Sequence, residues 1–244
     1  MLEPWDSSKK NANFVDISHW DLGLNMQALK DGGVDMVVIK WDEMAETFIA
    51  EAEEVGMPWS LYDWVFPTLD GKQQAYDLIA FLEKHPNCIS VFGDHEQEYM
   101  VYAEYQAYLL GKLTWSQVKK VPAAEIRSVG MNYQNLLNEW GMDNHVVTGI
   151  YDRWEYLRRI YAKDFDWVVS NHHWSAHYTY YPTNYVHLTW DQLWAKAPRN
   201  SFEKDLWLAQ PLKDRIRFPQ STFTWSSPIG RQWTGDKVYV PGMK

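Results

Sequence analysis

Two acids, Asp94 and Glu96, close an apolar run in residues 88–100, which read CISVFGDHEQEYM. On a strand, residues i and i+2 point to the same side, so both carboxylates face one place. Like charges held that close raise one pKa, which is how a carboxyl group keeps its proton near neutral pH. A protonated acid beside an anion suits general acid catalysis. The plainer alternative is a loop carrying two solvated acids.

The elements that must position this pair are legible in the periodicity. Short apolar strands recur as NFVDIS (13–18), VDMVVIK (34–40), PWSLYDWVF (58–66), CISVFGDHE (88–96) and HVVTGIYD (145–152). Between them lie helical patterns: NMQALKDGG (25–33), AETFIAEAEEVG (45–56) and DGKQQAYDLIAFLEKHP (70–86). In the second of these, Phe48, Ile49, Ala52 and Val55 fall at helical spacing and Gly56 stops the run. Residues 99–140 read as helical, and DWVVSN (166–171) and DLWLAQ (205–210) are further strand candidates. Apolar strands alternating with amphipathic helices imply a parallel sheet covered by helices, and four repeats before residue 100 favour a barrel over an open sheet.

In such barrels reactive groups sit at the C-terminal strand ends. Those ends here carry Asp16, Lys40 with Asp42 and Glu43, Tyr62 with Asp63, Asp94 with Glu96, Tyr151 with Asp152, and Asn171. Several acids on one rim suit glycosidic cleavage, which needs an acid for the leaving oxygen and a carboxylate for an oxocarbenium-like cation.

Composition narrows the partners. The 244 residues are 46% hydrophobic, enough to bury a substantial core as one barrel-sized domain. Fifteen Trp and 15 Tyr exceed what a core needs, and rings with polar edges suit the faces of sugars. A formal charge of −9 without clustered Lys or Arg argues against nucleic acid. The single cysteine, Cys88, excludes an internal disulfide and reads as a buried thiol. No window approaches the roughly 20 apolar residues of a membrane span, and the first residues lack the apolar core of a signal peptide. His172, His173 and His177 in NHHWSAHY could pair on a helix around zinc, but no glutamate completes an H-E-x-x-H motif. No metal and no cofactor is therefore expected.

The ordered motifs resemble those of the family 25 glycoside hydrolases, the N-acetylmuramidases. FVDISHW resembles the family's opening V-D-I-S and aromatic; VVIKWDE its I-I-K-A-[ST]-E; WSLYDWVF its G-x-Y-H-F, with Asp63 in place of histidine. DHE resembles its D-x-E, GIYD its I-Y-[TS], DLWLAQ its W-x-A strand and RQWTGD its W-Q-Y-[TS]. The order holds from residue 13 to residue 236.

The resemblance implies an irregular, TIM-like (β/α) barrel forming one domain over 1–244, with an incomplete or irregular last strand. It also implies cleavage of the β-1,4 bond between N-acetylmuramic acid and N-acetylglucosamine. Glu96 matches the general acid, Asp94 its partner and Asp16 the first-strand carboxylate. Tyr62, Asp63, Tyr151, Trp207 and Gln232 match positions lining the sugar site. The implied partner is peptidoglycan and the place of action the cell wall, as for a phage lysin or virion-associated enzyme. The family's closing V-D-x-N strand has no counterpart before Lys244, Asp236 being the nearest acid. Residues 99–122 and 171–201 read as insertions, and Asp42 and Asp63 add acids to the rim. These departures also fit a glycan-binding module with impaired chemistry, or a hydrolase of another N-acetylated polysaccharide.

Overall fold

The computed structural model describes residues 14–152, 154–176 and 228–232. The expected strand at 205–210 with Trp207, the acid Asp236, His177, any strand after Val240 and most of the second insertion lie outside the described residues. Among the described residues seven strands form one sheet in sequence order: β1 (Phe14–Ile17), β2 (Met36–Lys40), β3 (Trp59–Trp64), β4 (Ser90–Asp94), β5 (Val147–Asp152), β6 (His172–Ala176) and β7 (Pro228–Gln232). Every neighbouring pair is parallel. Around them run α1 (Met26–Asp31), α2 (Ala45–Glu54), α3 (Gly71–Leu82), α4 (Tyr102–Leu109), α5 (Ala123–Asn144), α6 (Trp154–Ile160) and α7 (Phe165–Ser170).

Local chemistry starts these helices. The Asn25 side chain accepts the Ala28 N–H at 2.9 Å and the Asp70 side chain accepts the Gln73 N–H at 2.8 Å, each capping a helix N-terminus. After α2 the chain turns back at Gly56, whose φ of 63° is costly for residues with a Cβ.

The strands alternate cleanly between two surroundings. Val37, Ile39, Leu61 and Val91 face outward and pack with Leu29, Phe48, Leu78, Tyr133 and Leu137 in the larger core. A second outer core joins Ile150 of β5 to Ile126, Leu157, Tyr161 and Val168. The inward residues Val38, Phe92, Tyr151 and Trp174 form a third cluster, with Phe14, Met36 and Tyr62 against it.

That inner cluster shows the sheet to be strongly curled. In a flat sheet β1 and β6, five positions apart, would be separated by about 24 Å. Instead the rings of Phe14 and Trp174 lie 5.4 Å apart, edge to face. No ladder joins β7 to β1 among the described residues. The β6–β7 pairing shifts register between His173 and Trp174.

Two expectations change here. DWVVSN is not a strand but most of α7: Val168 is buried in the second outer core, and the Asn171 side-chain amide donates to the Trp167 carbonyl at 2.7 Å. Its short apolar run fits either period, and packing against α6 selects the helix. The sixth strand is HHWSA instead, which puts His173 on a strand rather than on the helix that an i, i+4 zinc pair with His177 would need.

Candidate active site

Register brings the inward residues of adjacent strand ends together. Lys40 pairs with Tyr62, Trp64 with Asp94, and Asp94 with Tyr151. The rings of Tyr62 and Tyr151 are 6.3 Å apart, and both lean on Trp174, at 5.9 Å and 4.3 Å. Trp174 therefore plugs the curled sheet beneath the strand ends and gives the two tyrosines a rigid floor. At its edge Lys40 Nζ lies 5.4 Å from the Trp64 ring centre, a cation–π contact. The Trp64 indole N–H donates to Gln97 Oε1 at 3.0 Å, tying β3 to the chain that follows Glu96.

Electrostatics locate the acids relative to one another. Asp94 is only 2% exposed. Its carboxyl is pushed well above the usual range by burial first, then by the charge of Glu96. Lys40 pulls it back, while Asp63 and Asp16 push it further up. Its Oδ1 is buried with no hydrogen-bond partner among the described residues. An anion in that position would be poorly solvated, so the Asp94–Glu96 pair retains a proton. The Tyr62 hydroxyl is likewise held protonated, by burial first and then by Asp16, Asp94, Asp42 and Asp21. Asp16, Asp94, Glu96, Tyr62 and Tyr151 thus share one end of the sheet, with Lys40 as the counter-charge.

Sequence reasoning left Lys40 without a role. Strand parity could have found it, because Lys40 lies two residues beyond the inward Val38. The same parity corrects Asp63. It sits on the opposite face of β3 from Tyr62 and is 6% exposed, beside Tyr133 of α5 rather than in the mouth. Burial pushes its carboxyl up to about 7, with Tyr133 and Lys40 drawing it down. The Tyr133 hydroxyl lies close enough to favour the Asp63 anion but falls short of a regular hydrogen bond. Asp63 therefore does not share the inner face that carries Tyr62, where the resemblance had put it. His95, between the two acids, also faces outward; burial lowers it to about 4, and its Nδ1 is 3.4 Å from the Tyr161 hydroxyl.

Of the other expected residues, Gln232 closes β7 and Asp152 closes β5. Asp42 is a structural clamp. Its Oδ2 accepts the His19 backbone N–H at 3.0 Å and meets His19 Nδ1 at 2.9 Å, while its Oδ1 accepts the Met44 N–H at 2.9 Å. His19, Asp42 and Glu43 place ligand-type atoms within 4.8 Å of one another. The hydrogen bonds already made by His19 and Asp42 account for that cluster without a metal.

No family model matches the chain, and no curated protein matches it by sequence. Solved structures do match it. The bacterial lysozyme from Streptomyces coelicolor superposes with a TM-score of 0.51 at 14% identity, covering 72% of this chain and 78% of that one. The family 25 glycosyl hydrolase from Bacillus anthracis gives 0.50 at 12%, over 72% and 75%. The shared fold is that of the family 25 glycoside hydrolases. A third match, the Clostridium perfringens spore cortex lytic enzyme SleM, gives 0.52 at 13% and spans 96% of this chain and 67% of that one. At such identities the family 25 likeness is one of fold, and the chemistry rests on the side chains.

Proposed function

We propose that this chain is a glycoside hydrolase of the family 25 type, cleaving the β-1,4 bond between N-acetylmuramic acid and N-acetylglucosamine in peptidoglycan. The observation that carries the reading is the gathering of Asp16, Asp94 and Glu96 with two tyrosines at the C-terminal ends of a curled parallel sheet. In this reading the curled sheet belongs to an irregular TIM-like barrel with an incomplete or irregular last strand, residues 1–244 form one domain, and the cell wall is the place of action. Among the described residues no helix is long and apolar enough to cross a membrane.

Each group has a task. Glu96, half-buried beyond the end of β4, gives its proton to the leaving glycosidic oxygen. Asp94 lies deeper and acts through Glu96: its burial opposes full ionisation of the pair, so one proton stays shared between the two carboxyls where water alone would remove it. The Asp16 carboxylate stabilises positive charge developing on the sugar. Tyr62 stays neutral and donates a hydrogen bond, and Tyr151 bounds the sugar beside it. Lys40 keeps three acids from making the mouth too negative to form.

The test is reducing-end release from purified peptidoglycan, with chitin alongside, by wild type, Glu96→Gln and Asp94→Asn. Glu96→Gln keeps the shape and loses the proton, so turnover falls by about 10²–10⁴-fold while glycan binding persists. Asp94→Asn removes the buried carboxyl that holds the pair's proton, so Glu96 titrates alone and the basic limb of the pH–rate profile moves to lower pH. Wild type and Glu96→Gln that both bind peptidoglycan and are equally inert would make the chain a binding module. Cleavage of chitin alone would reassign the substrate.

A further inference from the structure

The segment after Glu96 leaves the sheet and returns to it, and it carries more aromatic side chains than its packing uses. It is anchored firmly. The Met100 N–H donates to Lys119 O and the Val121 N–H to Glu98 O, both at 2.9 Å, with an antiparallel bridge between Tyr99 and Lys120. Arg159 grips both oxygens of Glu98 at 2.9 Å, and the Tyr156 hydroxyl donates to Gln97 O at 3.0 Å. The Gln97 side chain is the one held by Trp64, so this base is continuous with the strand ends.

On that base stands α4, which buries none of its residues. Tyr102, Tyr105 and Tyr108 recur every three residues, about 4.5 Å apart along the axis, close to the length of one pyranose ring. Tyr99 stacks on Tyr105 at 4.3 Å and 8°, and Trp115 braces Tyr108 from 5.2 Å, so the row is held in place by other rings. Tyr102 remains 61% exposed and Tyr108 37% exposed. The Lys120 ammonium sits 4.8 Å from the Trp115 ring centre, and Lys119 pairs with Glu104, so these three groups leave one positive charge beside the row. Flat rings with polar edges, prefixed and lightly charged, match the alternating C–H faces and hydroxyl edges of a sugar chain.

We infer that the Tyr99–Trp115 shelf is a second glycan-binding site, which holds the strand several sugars away from the bond being cut. The inference rests on the hydrolase reading for the identity of the polymer. Its occupant is a further stretch of the same polysaccharide strand, and it extends the reach of the mouth along the substrate. Short oligosaccharides that fill only the mouth do not touch it.

The experiment uses the full chain and the double variant Tyr102→Ala/Tyr108→Ala, with peptide-free peptidoglycan strands and a short tetrasaccharide of the same sugars. Both side chains are exposed, so an unchanged unfolding midpoint verifies the fold. Binding of long strands, measured on Glu96→Gln with and without the double substitution, is expected to weaken about tenfold. KM for long strands should rise similarly, while tetrasaccharide turnover stays at the wild-type level. Equal long-strand affinity with and without the rings overturns the shelf and leaves the hydrolase reading intact. Ring-dependent binding by a chain that cleaves nothing supports the shelf and defeats the hydrolase reading. If the double variant instead turns a dimer into a monomer, or abolishes binding to lipid vesicles with glycan affinity unchanged, the shelf is a protein or membrane contact and the proposal falls.

Discussion

Asp63 shows how much one strand position decides. Motif resemblance puts it beside Tyr62 in a sugar site, yet neighbours on a strand face opposite ways, and Tyr62 faces inward. Its carboxyl is therefore committed to the helix layer, where burial lifts it to about 7 from an ordinary 3.8. The folded chain binds that proton more tightly than the unfolded chain does. The favourable contribution is complete below about pH 4 and is lost as pH rises through about 7. Asp63→Asn should consequently match wild type in stability near pH 4 and exceed it by about 2–4 kcal/mol at pH 8. Urea unfolding at both pH values checks this, and a variant less stable than wild type at pH 8 would show that the ionised carboxylate is well paired.

Among the elements, α5 does most to join the parts. It is 22 residues long, and it comes unusually close to its neighbours where side chains are missing. A Cβ at Gly71, the first residue of α3, would lie 2.2 Å from the backbone oxygen of Val129. Backbone cannot swing aside as a side-chain tip can, so Gly71→Ala should cost about 1–3 kcal/mol despite alanine's better helix propensity. A shift in urea midpoint measures it; a stabilised variant would mean that α3 and α5 are free to separate. Five strands and α1 to α3 were readable in sequence because each shows an unbroken period of two or of three to four. α7 was not, because its apolar run is too short to distinguish the periods and its fate depends on α6.

At the scale of the whole molecule, both outer cores share α5: Tyr133 and Leu137 belong to the larger, Ile126 to the other. Neither core can melt with α5 in place and the other intact. A single domain should therefore lose far-UV circular dichroism and tryptophan fluorescence at one urea midpoint. Two separated transitions would divide the chain into independent units. The inner cluster adds a tie between the first and sixth strands, through Phe14 and Trp174, that no sequence neighbour supplies.

The sequence by itself determined the parallel strand–helix alternation and the acids and tyrosines at strand ends, because these follow from periodicity and parity within single elements. Tertiary structure alone decided what those residues face. Burial of Asp94, the approach of Lys40 and Asp16 to it, the turning of Asp63 to Tyr133 and the floor made by Trp174 all depend on strands distant in sequence. Local propensity carries no information about such pairings. They are set by the curl of the sheet, which brings the inner faces of β1 to β6 around one shared interior.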